Sequence, residues 1–311
     1  MSRSRRLVWA LACDLTIAVA EVVGGFLGRS AGLFAAAGHD LADAGALGLA
    51  LVATRLVTRP ATPSRSFGFH RVTILTALAN AVALIAASVL IGVLAVHRIV
   101  HPAHVRGGIV IAFAAAALVG NGVAAFLVYE RSRDLNMRSV MLHLAGDALA
   151  ALGVLVAGAV ILATGRYDVL DPAVSLAIAV VVVIEAVVLV RQSVDVLLES
   201  TPRDVDLEDL SMSMGQVDGV TDVHDLHCWS LSNDVRALSA HVVLAGHPTL
   251  EQAQAIGDVL KDRLKAQHEI AHATIELECE RCAEPSAEVC AIEGSSSMQA
   301  AAASGTAAPA R

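Results

Sequence analysis

The sequence predicts an all-α membrane unit of six spanning helices followed by a small cytosolic α+β unit. Three observations predict it. Of 311 residues, 56% are hydrophobic and 17% charged, with a mean hydropathy of +0.65, which is more apolar than a soluble chain of this length requires. The long apolar runs fill the first two thirds, and each matches the ~20 helical residues that cross about 30 Å of hydrocarbon. Residues 201–283 instead have an ordinary soluble mixture. The expected division is therefore a membrane unit over residues 1–200, a soluble unit over 201–283 and a tail over 284–311. That tail is rich in Ala, Ser and Gly, has little to bury and is expected to be disordered.

The spans fall near residues 7–28, 32–57, 72–97, 107–129, 138–164 and 172–194, separated by short breaks such as "GRS", "HPAHVRGG" and "GRYDVLDP". The opening "MSRSRRLVWALA" imitates a signal peptide, but Asp14 and Glu21 interrupt the run and its apolar character continues to Leu27, so a retained first span is expected. Ten arginines (Arg3, Arg5, Arg6, Arg55, Arg59, Arg65, Arg71, Arg131, Arg133, Arg138) lie on one side, against Arg29, Arg98, Arg106 and Arg166 on the other. The positive-inside rule then places the N-terminus and the soluble unit in the cytoplasm.

The soluble unit reads helix, strand, strand, helix, strand. "DVDLEDLSMSM" is a short helix, "GVTDVHDLHCWSL" and "RALSAHVVLAG" are strands across the turn "SND", "TLEQAQAIGDVLKDRLKAQ" is an amphipathic helix with Thr249 as N-cap, and "HATIELE" is a strand. This pattern suggests a small α+β sandwich. The net charge of −8 has its acids concentrated after Asp195, and nothing in the chain supports nucleic-acid binding. Five cysteines, Cys13, Cys228, Cys279, Cys282 and Cys290, form no secreted framework and read as reduced thiols.

Ionisable groups at membrane depth cost roughly 2.5 to 3.5 kcal/mol each on insertion scales and so are functional by default. Here they repeat: span 2 has His39 and Asp43, span 5 has His143 and Asp147, and both read H-x-x-x-D. Positions i and i+4 lie on one helix face, about 6 Å apart along the axis. Two such faces offer two imidazoles and two carboxylates, a fourfold nitrogen and oxygen set that suits Zn²⁺, with Co²⁺ or Cd²⁺ as alternatives, and suits Mg²⁺ or Ca²⁺ poorly. A dication held by two carboxylates and two neutral imidazoles also leaves a net charge near zero. Small residues around the motifs, including Gly38, Ala42, Gly45 and Gly146, are expected to let the two helices approach. Asp40 should point about 100° away, toward a polar neighbour.

At this point the sequence resembles the cation diffusion facilitator family, which includes the ZnT-type zinc transporters, over residues 7 to about 280. Besides the paired motifs, "EVVGGFLGRSAGLFAAAGHDLADAGAL", "SFGFHRVTILTALANA", "LNMRSVMLHLAGDAL", "DPAVSLAIAVVVVIEAVVLVRQSVDVLLESTP" and "VDGVTDVHDLHCWSLSNDVRALSAHVVL" carry the likeness. The resemblance implies a non-enzymatic homodimer in the plasma membrane that exports divalent metal from the cytosol in exchange for protons, through His39, Asp43, His143 and Asp147. His39 in the first position goes with zinc in that family. The resemblance also implies a ferredoxin-like, metallochaperone-like αββαβ cytosolic domain that binds further metal and dimerises. Its ligand positions match His224, His241 and Glu276, with Glu278 as a further candidate; some relatives have His where Glu276 stands. His70 lies in the loop where some relatives hold another zinc. No His-rich run joins spans 4 and 5.

Other groups have no fixed role in the sequence. Asp14 and Glu21, seven apart, share one face of span 1 and either line a hydrophilic path or pair structurally. Glu185 has no partner that the sequence names. His97, His101 and His104 read as a polar loop cluster, with a release-side relay as the alternative. "CERC", Cys279 to Cys282, has thiolate-metal spacing but lacks a second pair. A membrane metalloenzyme would want an open coordination position and a nearby base, and a metal sensor would not need six spans with buried ligands.

Overall fold

The computed structural model describes residues 3–129, 135–233 and 235–281; the side chains of residues 3–11, 13, 124–129 and 135–144 are outside that description, as are Cys282, Cys290 and the expected tail. The chain divides into two compact units that meet at Val194 and Asp195.

The first unit consists of helices α1 (Arg3–Gly28), α2 (Ala31–Val57), α3 (Val72–Val100), α4 (Gly107–Tyr129), α5 (Leu135–Thr164) and α6 (Leu170–Leu197). All six expected helices form. Among the described residues, three stretches are long and apolar enough to cross a membrane, Val72–Val100, Ala145–Thr164 and Leu170–Leu197, and the described part of α4, Gly107–Val123, is apolar as well. In α2, His39, Asp40 and Asp43 lower the apolar character of the helix. Leu90, Val93 and Leu94 of α3 and Ile184 of α6 are exposed, as apolar side chains facing lipid would be.

Packing follows side-chain size. α4 lies along α5, and α2 contacts α1, α3 and α5. Backbone approaches most closely at Gly107, where a Cβ would stand 2.6 Å from the Gly158 carbonyl oxygen. Gly38 admits Ile91 of α3, 3.0 Å from where its Cβ would be, whereas a Cβ on Gly146 would meet nothing within 4 Å. The small residues of the motifs thus serve different neighbours, α3 on one helix and open space on the other, instead of bringing α2 against α5 along their length.

One end of the unit is laced together. Asp171, at the start of α6 and 1% exposed, accepts hydrogen bonds from the Ser30 hydroxyl, the Ala31 amide at 2.5 Å and the Gly32 amide at 3.3 Å. Ser30 is also the N-cap of α2, accepting from the Leu33 amide at 3.0 Å. Arg98 donates to the Arg29 carbonyl at 2.6 Å, and the Arg106 amide donates to the Gly28 carbonyl at 2.9 Å. The Val105 amide donates to Asp168 at 3.1 Å, which ties the loop before α4 to the loop before α6.

The second unit contains α7 (Leu207–Gly215), β1 (Val220–Ser232), β2 (Val235–Leu244), α8 (Leu250–His268) and β3 (Ile270–Glu278). The sheet order is β1-β2-β3, antiparallel in the first pair and parallel in the second. Thr249 caps α8 through a capping box with Gln252. Alternation along β2 sends Leu238, Ala240, Val242 and Leu244 into a core with Leu210 and Met214 of α7 and Leu260 and Leu264 of α8. The opposite face carries His241.

Candidate metal centres

α2 places His39 and Asp43 one turn apart on one stripe, and α5 brings Asp147 against them. His39 Nε2 lies 3.1 Å from Asp147 Oδ1 and 3.6 Å from Asp43 Oδ2. One donor atom from each of the three residues falls within 4.8 Å of the others. Bonds of about 2.0 to 2.2 Å at tetrahedral angles put ligand atoms about 3.3 to 3.6 Å apart, so these separations are already near those of a zinc coordination shell. His143 precedes Asp147 by one helical turn on α5; its side chain lies outside the description.

The flank of this group is acidic. Asp40 turns toward α1, where the carboxylate of Glu21, 3% exposed, is its neighbour. The charges of Asp14 and Asp147 also act on Asp40, and Glu21 Oε2 has no hydrogen-bond partner. The polar neighbour that the sequence left unnamed for Asp40 is therefore Glu21. An acid in each of two adjacent apolar helices was the available signal. His39 and Asp147 also border a cavity of about 460 Å³ along α5 and α6.

A second group forms on the outer face of the sheet. In register, His224 stands opposite His241, and His241 opposite Glu276. A bulge between His224 and His227, with Asp225 at φ 48°, lets both histidines share that face while Leu226 and Cys228 enter the core. His241 Nδ1 is 2.8 Å from Glu278 Oε1, and His224 Nε2 is 3.4 Å from Glu278 Oε2. His224, Glu278 and His241 have donor atoms within 4.8 Å of one another. Neither ring nitrogen of His224, which is 6% exposed, makes a hydrogen bond. An orphaned buried imidazole facing a second imidazole and a carboxylate is a donor set that fits zinc.

Glu276 stands apart from that group. It reaches the other nitrogen of His241, with Oε2 3.5 Å from Nε2, and is mostly exposed. Asp225 Oδ2 approaches the same nitrogen at 3.6 Å, and Asp225 Oδ1 lies 3.1 Å from His227 Nε2. Asp225 and His227 are neighbours that strand alternation alone does not predict, because the bulge resets it. Cys228 is buried away from these donors, and burial pushes its thiol above the ordinary value, with Arg236 pulling the other way. Cys279 is free and exposed.

The remaining sequence candidates do not gather. His70 is half-buried in its loop, and among the described residues no group of three or more donors includes it. His97 and His101 stack with ring centroids 4.8 Å apart, and His104 Nδ1 lies 3.7 Å from Asp168.

Residues 7–198 match a family model described as the cation efflux transmembrane domain, and residues 202–280 match one described as the cation efflux protein, cytoplasmic domain. The chain is 35% identical over 288 residues to the zinc transporter ZitB of Escherichia coli, covering 91% of this chain and 90% of that one. It is 32% identical to a cadmium, cobalt and zinc/H(+)-K(+) antiporter of Bacillus velezensis over 84% of this chain and 83% of that one. It is 33% identical to the metal cation efflux system protein CzcD of Cupriavidus metallidurans, covering 89% and 87% respectively.

Proposed function

We propose that this chain, which belongs to the cation efflux family, exports Zn²⁺ from the cytosol in exchange for protons, with Cd²⁺ or Co²⁺ as secondary substrates. The observation that carries the reading is the convergence of His39, Asp43 and Asp147 from α2 and α5 inside apolar helices. The names of the three relatives support the choice of cation. His143 supplies the fourth donor. Six spanning helices, cytoplasmic termini, a homodimer and a plasma-membrane location complete the proposal, with the cytoplasmic-domain match supporting dimerisation of the second unit.

The exchange follows from shared lone pairs. Zinc needs neutral imidazoles and ionised carboxylates, so metal and protons compete at the same atoms, and metal binding releases protons. With the donors open to the cytosol, Zn²⁺ displaces protons. A shift of α2 against α5 exposes them to the other face, where protons displace Zn²⁺. Because the donors are divided between two helices, a small relative movement changes the affinity. The second unit holds resident metal through His224, His241 and Glu278, with Glu276, Asp225 and His227 beside them.

Zinc flux into proteoliposomes carrying an internal pH dye, at clamped membrane potential, tests this reading. Zinc movement with opposite proton movement is expected, and zinc movement that leaves the internal pH unchanged would remove proton coupling.

A further inference from the structure

We propose that Glu185 is the first carboxylate met by the hydrated divalent cation, a capture residue at the mouth of the α5–α6 cavity that feeds the His39, Asp43 and Asp147 group. The inference rests on the transport reading of that group.

Glu185 is the only charged side chain between Asp171 and Arg191, in a helix whose most apolar window has a mean hydropathy of 3.0. An acid placed there is costly and calls for a compensating role. Among the described residues, no hydrogen bond or ion pair supplies one. The side chain is exposed, and it lines the same cavity as His39 and Asp147.

Helix periodicity fixes its direction. The α6 residues that line the cavity include Val174, Ile178, Val181 and Glu185, spaced four, three and four apart, which is one stripe of a helix. Glu185 therefore projects into the cavity with the rest of that stripe.

Its level follows from packing. Gly153 of α5 meets Val174 of α6, whose Cγ1 would be 3.5 Å from a Cβ on that glycine. With a rise of about 1.5 Å per residue, the six residues from Gly153 back to Asp147 cover about 9 Å, and the eleven from Val174 to Glu185 cover about 16 Å. The five residues between Thr164 and Leu170 turn the chain back, so α6 returns along α5 and Glu185 lies roughly one turn beyond Asp147, toward the end of α6 that leads into the second unit.

The space between suits an ion that still carries water. About 460 Å³ exceeds six waters at ~30 Å³ each, and among the described residues the rest of the lining is apolar or small, such as Gly146, Leu149 and Val182. A single carboxylate at this end of the cleft raises the local concentration of a dication without offering the multiple bonds that would hold it. The cation then exchanges water for the imidazole and carboxylates one turn further on.

The test is initial zinc flux in proteoliposomes as a function of zinc concentration and ionic strength, for wild type, Glu185→Gln, Glu185→Asp and Asp147→Asn. Glu185→Gln keeps size and removes charge; its KM is expected to rise about tenfold at low salt, with the maximal rate within about twofold of wild type and the difference shrinking as salt screens the charge. Glu185→Asp is expected to stay near wild type. An unchanged KM in Glu185→Gln, or an equal salt-independent loss in Glu185→Gln and Glu185→Asp, would overturn the assignment. Asp147→Asn reports separately on the transport group, since wild-type flux in that variant would contradict the underlying reading whatever Glu185 does.

Discussion

The two donor groups use the same side-chain types on different frames. In the helical unit, His39 and Asp43 are joined by one turn of helix, and the third donor comes from a second helix with the same spacing. In the second unit, His224, His241 and Glu278 come from three strands and meet only through register. The surroundings differ as well. His39 and Asp147 border a cavity and have Asp40 and Glu21 behind them, whereas His224 is sealed at 6% exposure. A carboxylate-rich group divided between two helices and bordering a cavity suits a cation that must leave. A group that includes a sealed imidazole and is held by strand register suits one that stays.

The largest expected effect breaks that contrast at the membrane group. Asp147→Ala removes one of the three converging donors, and zinc flux in proteoliposomes should fall by about 100-fold or more, at least the upper range for losing a group that only orients a ligand. His39→Asp should retain flux but change the order of preference among Zn²⁺, Cd²⁺ and Mn²⁺, read by competition in the same assay.

In the second unit, Glu278→Ala should weaken zinc binding by about 10- to 100-fold in titration calorimetry of the full chain. Glu276→Ala, at the exposed position on the other nitrogen of His241, should change it only a few-fold. Equal losses in the two variants would mean that both carboxylates belong to one coordination shell.

A smaller effect concerns the laced end. Asp171→Ala removes an acceptor shared by Ser30, Ala31 and Gly32, and the helical unit should lose about 3 kcal/mol, seen as a lower Tm in detergent.

The smallest effect is a pH dependence confined to the second unit. The folded state raises the Cys228 thiol through burial, so the unfolded chain ionises first as pH climbs. That contribution is complete below the ordinary thiol value of about 8.5 and is lost as pH rises through the raised folded value. Thermal melts of the second-unit transition should therefore show an alkaline loss that Cys228→Ala removes.

The same contrast explains what the sequence discloses. A helix repeats every 3.6 residues, so two H-x-x-x-D motifs in apolar runs were enough to bring His39, Asp43 and Asp147 to notice as a group. A strand discloses only which face a residue takes until a bulge intervenes. The bulge at Asp225 put His224 and His227 on one face, and neither that nor the nearness of Glu278 rather than Glu276 follows from alternation, since the two glutamates share a face. The order of secondary elements was legible from periodicity and the Thr249 cap. The Glu21 and Asp40 contact was not, because it depends on the rotation of α1 against α2, and neither was the cavity beside Gly146, because a small residue can serve a close neighbour or an opening equally well.

The most direct measurement is zinc flux in proteoliposomes for wild type, Asp147→Asn and Glu278→Gln side by side. Flux abolished in Asp147→Asn and retained within several-fold in Glu278→Gln is expected if the membrane group carries the cation and the sheet group holds a resident one. Wild-type flux in Asp147→Asn would contradict the assignment of transport to His39, Asp43 and Asp147.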